Sequence, residues 1–400
     1  MNIYEYQAKK ILSRYGIKIP EGQIAYTPHE AETIAEKISK RGPWMLKAQI
    51  YSGARNDGYF LEKKAGSGGG VRAVKNKKQV FENVAQMLDS TLVTIQTGPK
   101  GRKINRVYVE NYLKAEGYFY LALAINRVNA ELTLLAADIK KQDIVQIAMN
   151  KPQNILKVKL DIDGKTKPEQ VKKVIDFLKL PLRSADKLES LINGLNKAFF
   201  ETDAIMIELN PVGIMKNGDL VALDAKISFD DNALYRHPDI AALRDECELP
   251  EREIQAAKYK FTYNEFDGSV GCIVNGDGIV MTAMDLLREK NVGTACFINV
   301  KGGVDKDKIA SGIKIIMTNP RVDGILLNIL GGFLRCNLIA DGIVAAASEV
   351  GLNVPMVVRF EGINKDMAKE IITNAKLPVI WADTMEEATE KLTLAIKEAS

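Results

Sequence analysis

Two hard oxygen donors stand at the ends of short apolar runs between residues 205 and 226. Asn210 closes Ile-Met-Ile-Glu-Leu-Asn before Pro211, and Asp224 closes Leu-Val-Ala-Leu-Asp. The Asn217-Gly218 pair between these runs is a hairpin signal, so two strands joined at 215–219 are expected. Strand alternation puts Ile205, Ile207 and Leu209 on one face and Glu208 and Asn210 on the other. An amide oxygen and a carboxylate meeting across a hairpin suit Mg²⁺, which takes one or two protein oxygens and completes its shell with water and phosphate. An ordinary hairpin with polar outer residues carries the same pattern.

Upstream residues supply what a phosphate would need. Lys47 lies inside the β run Trp-Met-Leu-Lys-Ala-Gln, on the face of Met45 and Gln49. It is either an edge lysine or a phosphate ligand. Gly53-Ala54-Arg55 follows, then Gly66-Ser67-Gly68-Gly69-Gly70-Val71-Arg72. Glycines let backbone N–H groups approach phosphate oxygens, and arginine adds charge-assisted bonds, although a merely flexible loop has the same composition. Glu110 ends the strand expected at 106–110, as an acceptor for an adenine amine or ribose hydroxyl or as a solvated terminus.

These side chains need elements to hold them. Periodicity predicts a helix over 3–15, a strand at 23–26, a helix opened by Thr27-Pro28 and running to 38, and a strand at 44–49. A helix over 77–88, strands at 92–96, 106–110, 118–125 and 132–136, and helices over 168–178 and 185–199 follow. Residues 240–262 turn polar and charged, reading as a connecting helix and domain boundary. Beyond them five β runs (270–274, 296–300, 324–330, 355–360, 378–382) alternate with helical segments, the signature of a doubly wound parallel sheet. Ligands of such sheets sit at the carboxyl ends of the strands. Two of those ends are distinctive: Asn275-Gly276-Asp277-Gly278, and Gly331-Gly332-Phe333-Leu334-Arg335, the second expected to open a helix whose free N–H groups bind an anion. Tight β-to-α turns would use the same glycines.

The totals bound the function. Four hundred residues imply two or three domains, and 46% hydrophobic with 26% charged residues describes a folded chain. The net charge of +4 is spread out, and Lys100-Gly101-Arg102-Lys103 and Lys140-Lys141 read as solvated faces. Without a basic stripe carrying stacking aromatics, no nucleic-acid partner is expected. Cys247, Cys272, Cys296 and Cys336 are far apart and read as reduced thiols in a cytosol-like compartment. Two histidines, His29 and His237, leave little material for a zinc site or a Ser-His triad. No apolar run reaches membrane-spanning length and no signal peptide opens the chain, so no membrane association is expected and the location is cytoplasmic, or the mitochondrial matrix for an organellar chain.

Taken in order, Asn2-Ile3-Tyr4-Glu5-Tyr6-Gln7-Ala8-Lys9, Leu92-Val93-Thr94 with Gln96-Thr97-Gly98-Pro99, the Glu208-Leu209-Asn210-Pro211 hairpin, Asp231-Asn232-Ala233-Leu234-Tyr235-Arg236 and the stretch 328–340 resemble the succinyl-CoA synthetase β-subunit family over nearly the whole chain. The resemblance implies an α/β and α+β protein: an ATP-grasp nucleotide-binding domain of two subdomains (1–240), a connecting helix (241–262) and a flavodoxin-like ligase domain (263–400). It implies that Lys47, Gly53, Ala54, Arg55 and Asn56 hold nucleotide phosphates, with Glu110, Leu113 and Tyr118 around the adenosine and ribose. Asn210 and Asp224 would bind Mg²⁺, Glu208 would face a visiting phosphohistidine, and Asn275 with Gly332, Phe333 and Leu334 would bind the organic acid. ATP, with GTP an alternative, would be the nucleotide. An α subunit, in an αβ or α₂β₂ assembly, would supply the phosphorylated histidine and most contacts to CoA.

The departures from that family matter too. Its phosphate loop is usually Gly-Gly-Arg-Gly, where this chain has Gly53-Ala54-Arg55-Asn56, so Ala54 is expected at negative φ. Residues 57–66 look inserted, at little cost in loop closure, and would sit over the nucleotide cleft. Tyr118 stands where a glutamate is common, with Glu116 close by; Asp138-Ile139-Lys140-Lys141 replaces a Glu-Gly-Gly segment, and Asn299 and Lys301 interrupt an Asp-Val-Gly-Gly-Gly pattern. A catalytically impaired assembly subunit is the alternative these changes leave open, and a sister ligase acting on malate or citrate is another, because the acid site around Asn275 and Phe333 is short and shared.

Overall fold

In a computed structural model, which describes residues 1–139, 144–161, 166–300 and 305–399, the chain divides into two units, Met1–Glu248 and Leu249–Ser400. Lys140, Lys141 and Lys301 lie outside the described residues.

The first unit is built on antiparallel sheets. Strands Gly22–Ala25, Val107–Asn111, Trp44–Ala48 and Val71–Val74 form one sheet in that spatial order. Its helices Pro28–Ile38 and Lys77–Met87 begin where their sequences say: Thr27 Oγ1 accepts the Glu30 N–H at 3.2 Å ahead of Pro28, and Asn76 Oδ1 accepts the Gln79 N–H at 2.9 Å. Val80, Val84 and Met87 of the second helix share a core with Trp44, Leu46 and Val109. A larger sheet runs Leu156–Leu160, Glu131–Asp138, Gly117–Asn126, Ala204–Ile214 and Leu220–Ala222, with Ala225–Phe229 also paired to Ala204–Ile214. Helices Glu5–Ser13, Pro168–Leu178 and Ala185–Glu201 bury Leu12, Val174 and Leu195 in the same core as Leu121, Leu134 and Ile207 of that sheet.

The inserted stretch has structure of its own. Tyr59–Phe60 pairs with Thr91–Val93, which pairs with Arg102–Lys103, so the strand expected over 92–96 is short and gives way to a turn. The glycine run is packing rather than an open phosphate loop: Gly70 N–H donates to the Arg55 carbonyl at 2.8 Å, and a Cβ on Gly69 would fall 2.1 Å from the Asn56 carbonyl oxygen. Arg72 is also occupied structurally. Its guanidinium donates to the carbonyls of Ala65, Gly68 and Gly69 and to Asn83 and Gln86, over the Phe60 ring.

The second unit carries a six-stranded sheet ordered Thr262–Glu265, Thr294–Asn299, Val270–Val274, Gly324–Arg335, Met356–Ile363 and Val379–Trp381. All pairings are parallel except that of the first strand, and the five parallel strands have the 2-1-3-4-5 order of flavodoxin-like sheets. Alternate residues face opposite cores: Ile273, Ile325 and Leu327 pack with Ile313 and Ile339, whereas Cys272, Val274 and Leu326 pack with Leu287 and Leu392.

Two expectations are corrected here. Residues 240–262 are not one connecting helix but Pro238–Ala241, a short turn Glu246–Glu248, helix Glu251–Lys258 and the start of an antiparallel edge strand. The strand expected over 324–330 continues to Arg335, and the helix begins at Cys336, because Arg335 regains pairing with Ile363 after a bulge. The amides of Gly332, Phe333 and Leu334 therefore belong to a strand and its bulge, not to the first turn of a helix.

Candidate functional site

Helix Glu5–Ser13 lays two charged residues, one turn apart, on its buried face. Glu5 Oε1 lies 2.8 Å from both Lys9 Nζ and Lys47 Nζ, and Glu5 Oε2 accepts from Arg55 Nη2 at 2.6 Å. Glu110, on the strand beside that of Lys47, reaches Lys47 Nζ through Oε1 at 2.7 Å and Lys9 Nζ through Oε2 at 2.6 Å. Arg55 also donates to Asp224 Oδ2 at 2.7 Å and to the Ala48 carbonyl at 2.9 Å. Three cations and three carboxylates thus form one network, all buried but Asp224.

The network sets the protonation states. Burial alone would raise the Glu5 carboxyl, but Lys47, Lys9 and Arg55 outweigh it and hold it well below the usual range. Burial would lower the Lys47 ammonium, and the carboxylates of Glu110, Glu5 and Asp224 reverse that and raise it. Arg55 is raised in the same way by Asp224 and Glu5 against its burial. Every member carries its charge near neutrality where a shift is resolved.

The hairpin is broken at its polar residues. Leu209 pairs with Ala225 and Val212 with Ala222, and between them the Asn210 N–H donates to the Asp224 carbonyl at 3.3 Å and the Leu223 N–H to the Pro211 carbonyl at 3.0 Å. The register to the neighbouring strand Gly117–Asn126 shifts at the same place. The break turns Asn210 and Asp224 out of the ladder and points the Leu223 carbonyl at Lys9 and Lys47, 2.7 and 2.6 Å away. At the far end, Gly218 at φ 80° closes the turn and donates to the Met215 carbonyl.

Two cavities open on this arrangement. The larger, about 370 Å³, is lined by Lys47, Ala54, Arg55, Asn56, Glu110, Leu113, Tyr118, Asn210 and Asp224, with Met45, Val71 and Leu223 as apolar wall. The smaller, about 80 Å³, shares Ala54, Arg55, Asn210 and Asp224 and adds Gly53, Glu208 and Lys226. A polar end with cations beside an end with apolar wall fits a ligand that is anionic at one end and flat at the other. The donor set also fits a hard cation: Asn210 offers an amide oxygen and Asp224 a partly exposed carboxylate that gives one oxygen to Arg55.

Several residues sit differently from expectation. Ala54 has φ 54°, in the left-handed region, not the negative φ expected. The Gly53 N–H donates to Gln96 Oε1 at 2.7 Å, and Ser52 Oγ is 2.7 Å from Thr94 Oγ1, so the turn after Thr91–Val93 cradles the glycine loop. Both oxygens of Glu110 are engaged by lysines, so it borders the cavity more as a brace than as a free acceptor. Tyr118 lines the cavity, while the nearby Glu116 is turned to Arg183 at 2.6 Å. Glu5 and Lys9 are absent from the sequence reading of the site, though a Glu and a Lys four apart on an apolar helix face are a legible signal.

In the second unit, Asn275 clamps two strand ends. Its Nδ2 donates to the Leu330 carbonyl at 2.6 Å and its Oδ1 accepts the Leu330 N–H at 2.8 Å. Asn299 holds the neighbouring loop, accepting the Gly276 N–H at 2.8 Å and donating to Asp277 at 2.6 Å. Leu334 is buried, in the same strand as Gly332 and Phe333. His29 is exposed, and His237 is held 2.6 Å from Asp203 beside Arg236.

Residues 2–214 match the ATP-grasp domain family and residues 273–393 the CoA-ligase family. The chain is 42% identical over 401 residues to the β subunit of ADP-forming succinate–CoA ligase from Rhodospirillum rubrum, with 100% of each covered. The same-named subunit of Paracoccus denitrificans is 42% identical over 398 residues, spanning 99% of this chain and 100% of its own. Among solved structures, ATP citrate lyase from Methanothrix soehngenii in complex with citrate and coenzyme A superposes with a TM-score of 0.69 over 99% of each chain at 15% identity, a likeness of fold.

Proposed function

The chain belongs to the β-subunit family of ADP-forming succinate–CoA ligases, and from that premise we propose that it binds ATP in the first unit and phosphorylates a histidine carried by an α subunit. The overall reaction joins succinate and CoA as succinyl-CoA while ATP becomes ADP and phosphate. One observation carries the reading: a single cavity gathers Lys47, Arg55, Asn56, Glu110, Leu113, Tyr118, Asn210 and Asp224 from six separate stretches of chain.

The adenosine would lie toward Glu110, Leu113 and Tyr118, and the phosphates toward Lys47 and the loop 53–56. Asn210 and Asp224 would hold Mg²⁺, which when bound neutralises phosphate charge. Lys47 would meet the β and γ phosphates, and Arg55 and the loop amides would fix the γ-phosphoryl group for in-line transfer. The smaller cavity, which Glu208 lines and Glu110, Leu113 and Tyr118 do not, would be where the partner's histidine arrives. The resulting phosphohistidine would activate succinate as an acyl phosphate, which CoA thiolysis converts to the thioester. Asn275 and the strand bulge at 331–334 would border the acid.

Reconstitution with a matching α subunit tests this. Succinyl-CoA should form only when ATP, succinate, CoA and both chains are present. Nucleotide binding without ATP-dependent thioester formation by the assembled pair would overturn it.

A further inference from the structure

The buried network contains one lysine that neither cavity touches. Lys9 Nζ contacts Glu5 Oε1, Glu110 Oε2 and the Leu223 carbonyl at 2.8, 2.6 and 2.7 Å. Lys47 Nζ contacts Glu5 Oε1, Glu110 Oε1 and the same carbonyl at 2.8, 2.7 and 2.6 Å. The two ammonium groups therefore share one set of three partners, and three acceptors saturate an ammonium. They differ in access: Lys47 lines the larger cavity, whereas Lys9 is 0% exposed and lines neither.

The duplication has a physical use. A polyphosphate entering the cavity draws Lys47 toward its oxygens and away from Glu5 and Glu110. A buried carboxylate stripped of its cation is strongly disfavoured, so a lone lysine would be held back by the carboxylates it leaves. Arg55 stays on Glu5, but Glu110 forms its ion pairs with Lys9 and Lys47. We propose that Lys9 is a positioning residue, the resident counter-ion that keeps Glu5 and Glu110 paired and so releases Lys47 to the nucleotide phosphates. The inference rests on the nucleotide reading of the cavity and adds to it a residue that acts only through Lys47.

Calorimetric titration of Mg-ADP into the full chain, as native, Lys9→Met, Lys47→Met and the double variant, tests it. Lys9→Met should weaken binding about tenfold, and that loss should vanish in the Lys47→Met background, since a group acting through Lys47 has nothing to act on there. Equal binding by the native chain and Lys9→Met, or the same loss in both backgrounds, would overturn the inference while leaving the nucleotide reading intact. A native chain that binds no Mg-ADP would bring down both. Should Lys9→Met not fold, a crystal structure of the native chain with Mg-ADP decides: Lys47 on phosphate oxygens with Lys9 still bridging Glu5 and Glu110 supports the proposal, and Lys47 still on Glu110, or Lys9 displaced, overturns it.

Discussion

Ala54 holds a methyl group at φ 54°, where an L-residue crowds its own carbonyl, and the neighbouring contacts keep it there: the Gly53 N–H on Gln96 before it and the Arg55 guanidinium on Glu5 and Asp224 after it. Glycine would relieve the crowding but lose more chain entropy on folding, so Ala54→Gly should stabilise the chain by a net ~0.5 to 1 kcal/mol. Denaturant unfolding at pH 7 checks this, and a destabilised variant would mean the methyl contributes packing. Glu5 is more consequential. Its folded-state pKa lies below the ordinary 4.5, so its ion pairs contribute fully above pH 4.5 and are lost as the pH falls through the lower folded value. Glu5→Gln should cost about 3 to 5 kcal/mol at pH 7, as removal of one partner of a buried ion network does. The gap to the native chain should narrow below pH 4.5, and a gap unchanged between pH 7 and pH 3 would contradict the assignment. Lys47 and Arg55 were legible because a lysine in an apolar strand and an arginine after a glycine are conspicuous. Their pairing with Glu5 and Glu110 was not, because apart from the Glu5–Lys9 pair within one helix those contacts form only across long sequence separations.

Elements that follow from local chemistry were legible, and those that follow from tertiary pairing were not. Pro168–Leu178 shows its start in a proline and its buried face in Val171, Val174 and Leu178. Tyr59–Phe60 and Thr262–Glu265 are too short for a period to show and exist because a neighbouring strand offers them a ladder. The bulge that carries Gly324–Arg335 past its glycines was equally hidden: nothing in Gly331-Gly332 distinguishes a turn from a strand, whereas Gly362 packs so closely on Gly331 that a Cβ would lie 2.8 Å from its carbonyl oxygen. The hairpin was legible through its turn, but its break was not, and the break is what exposes Asp224. If Asp224 is a metal ligand, Asp224→Ala should abolish the gain in ADP affinity that Mg²⁺ gives the native chain and stop Mg-dependent phosphorylation of the α-subunit histidine, with the subunits still associated. Undiminished phosphorylation would refute the role. Arg72 makes the matching test of the inserted stretch. Arg72→Ala should cost about 2 kcal/mol, the scale of charge-assisted bonds to backbone carbonyls, and speed amide exchange over 59–70 while strands Ala204–Ile214 and Ala225–Phe229 keep their protection.

At the scale of the whole chain, family membership follows from the two domain matches and full-length relatives, while the proposed division of labour rests on where the charges are. The network of Lys9, Lys47, Arg55, Glu5, Glu110 and Asp224 lies wholly within Met1–Glu248, and the Asn275 clamp on Leu330 wholly within Leu249–Ser400. No described helix is long and apolar enough to cross a membrane. Nucleotide is therefore expected to stabilise the first unit directly. A ligand that binds only the folded form adds about 2.7 kcal/mol at a hundredfold excess over its Kd. Peptide-resolved hydrogen exchange with Mg-ADP at that excess should show slowed opening of Trp44–Ala48, Val107–Asn111 and Ala204–Ile214, the strands that present Lys47, Glu110 and Asn210. Strands Val270–Val274 and Gly324–Arg335 have no residue in either nucleotide-side cavity, so their exchange should respond to the acid and CoA rather than to Mg-ADP. Protection by Mg-ADP confined to the second set would move the nucleotide out of the first unit altogether.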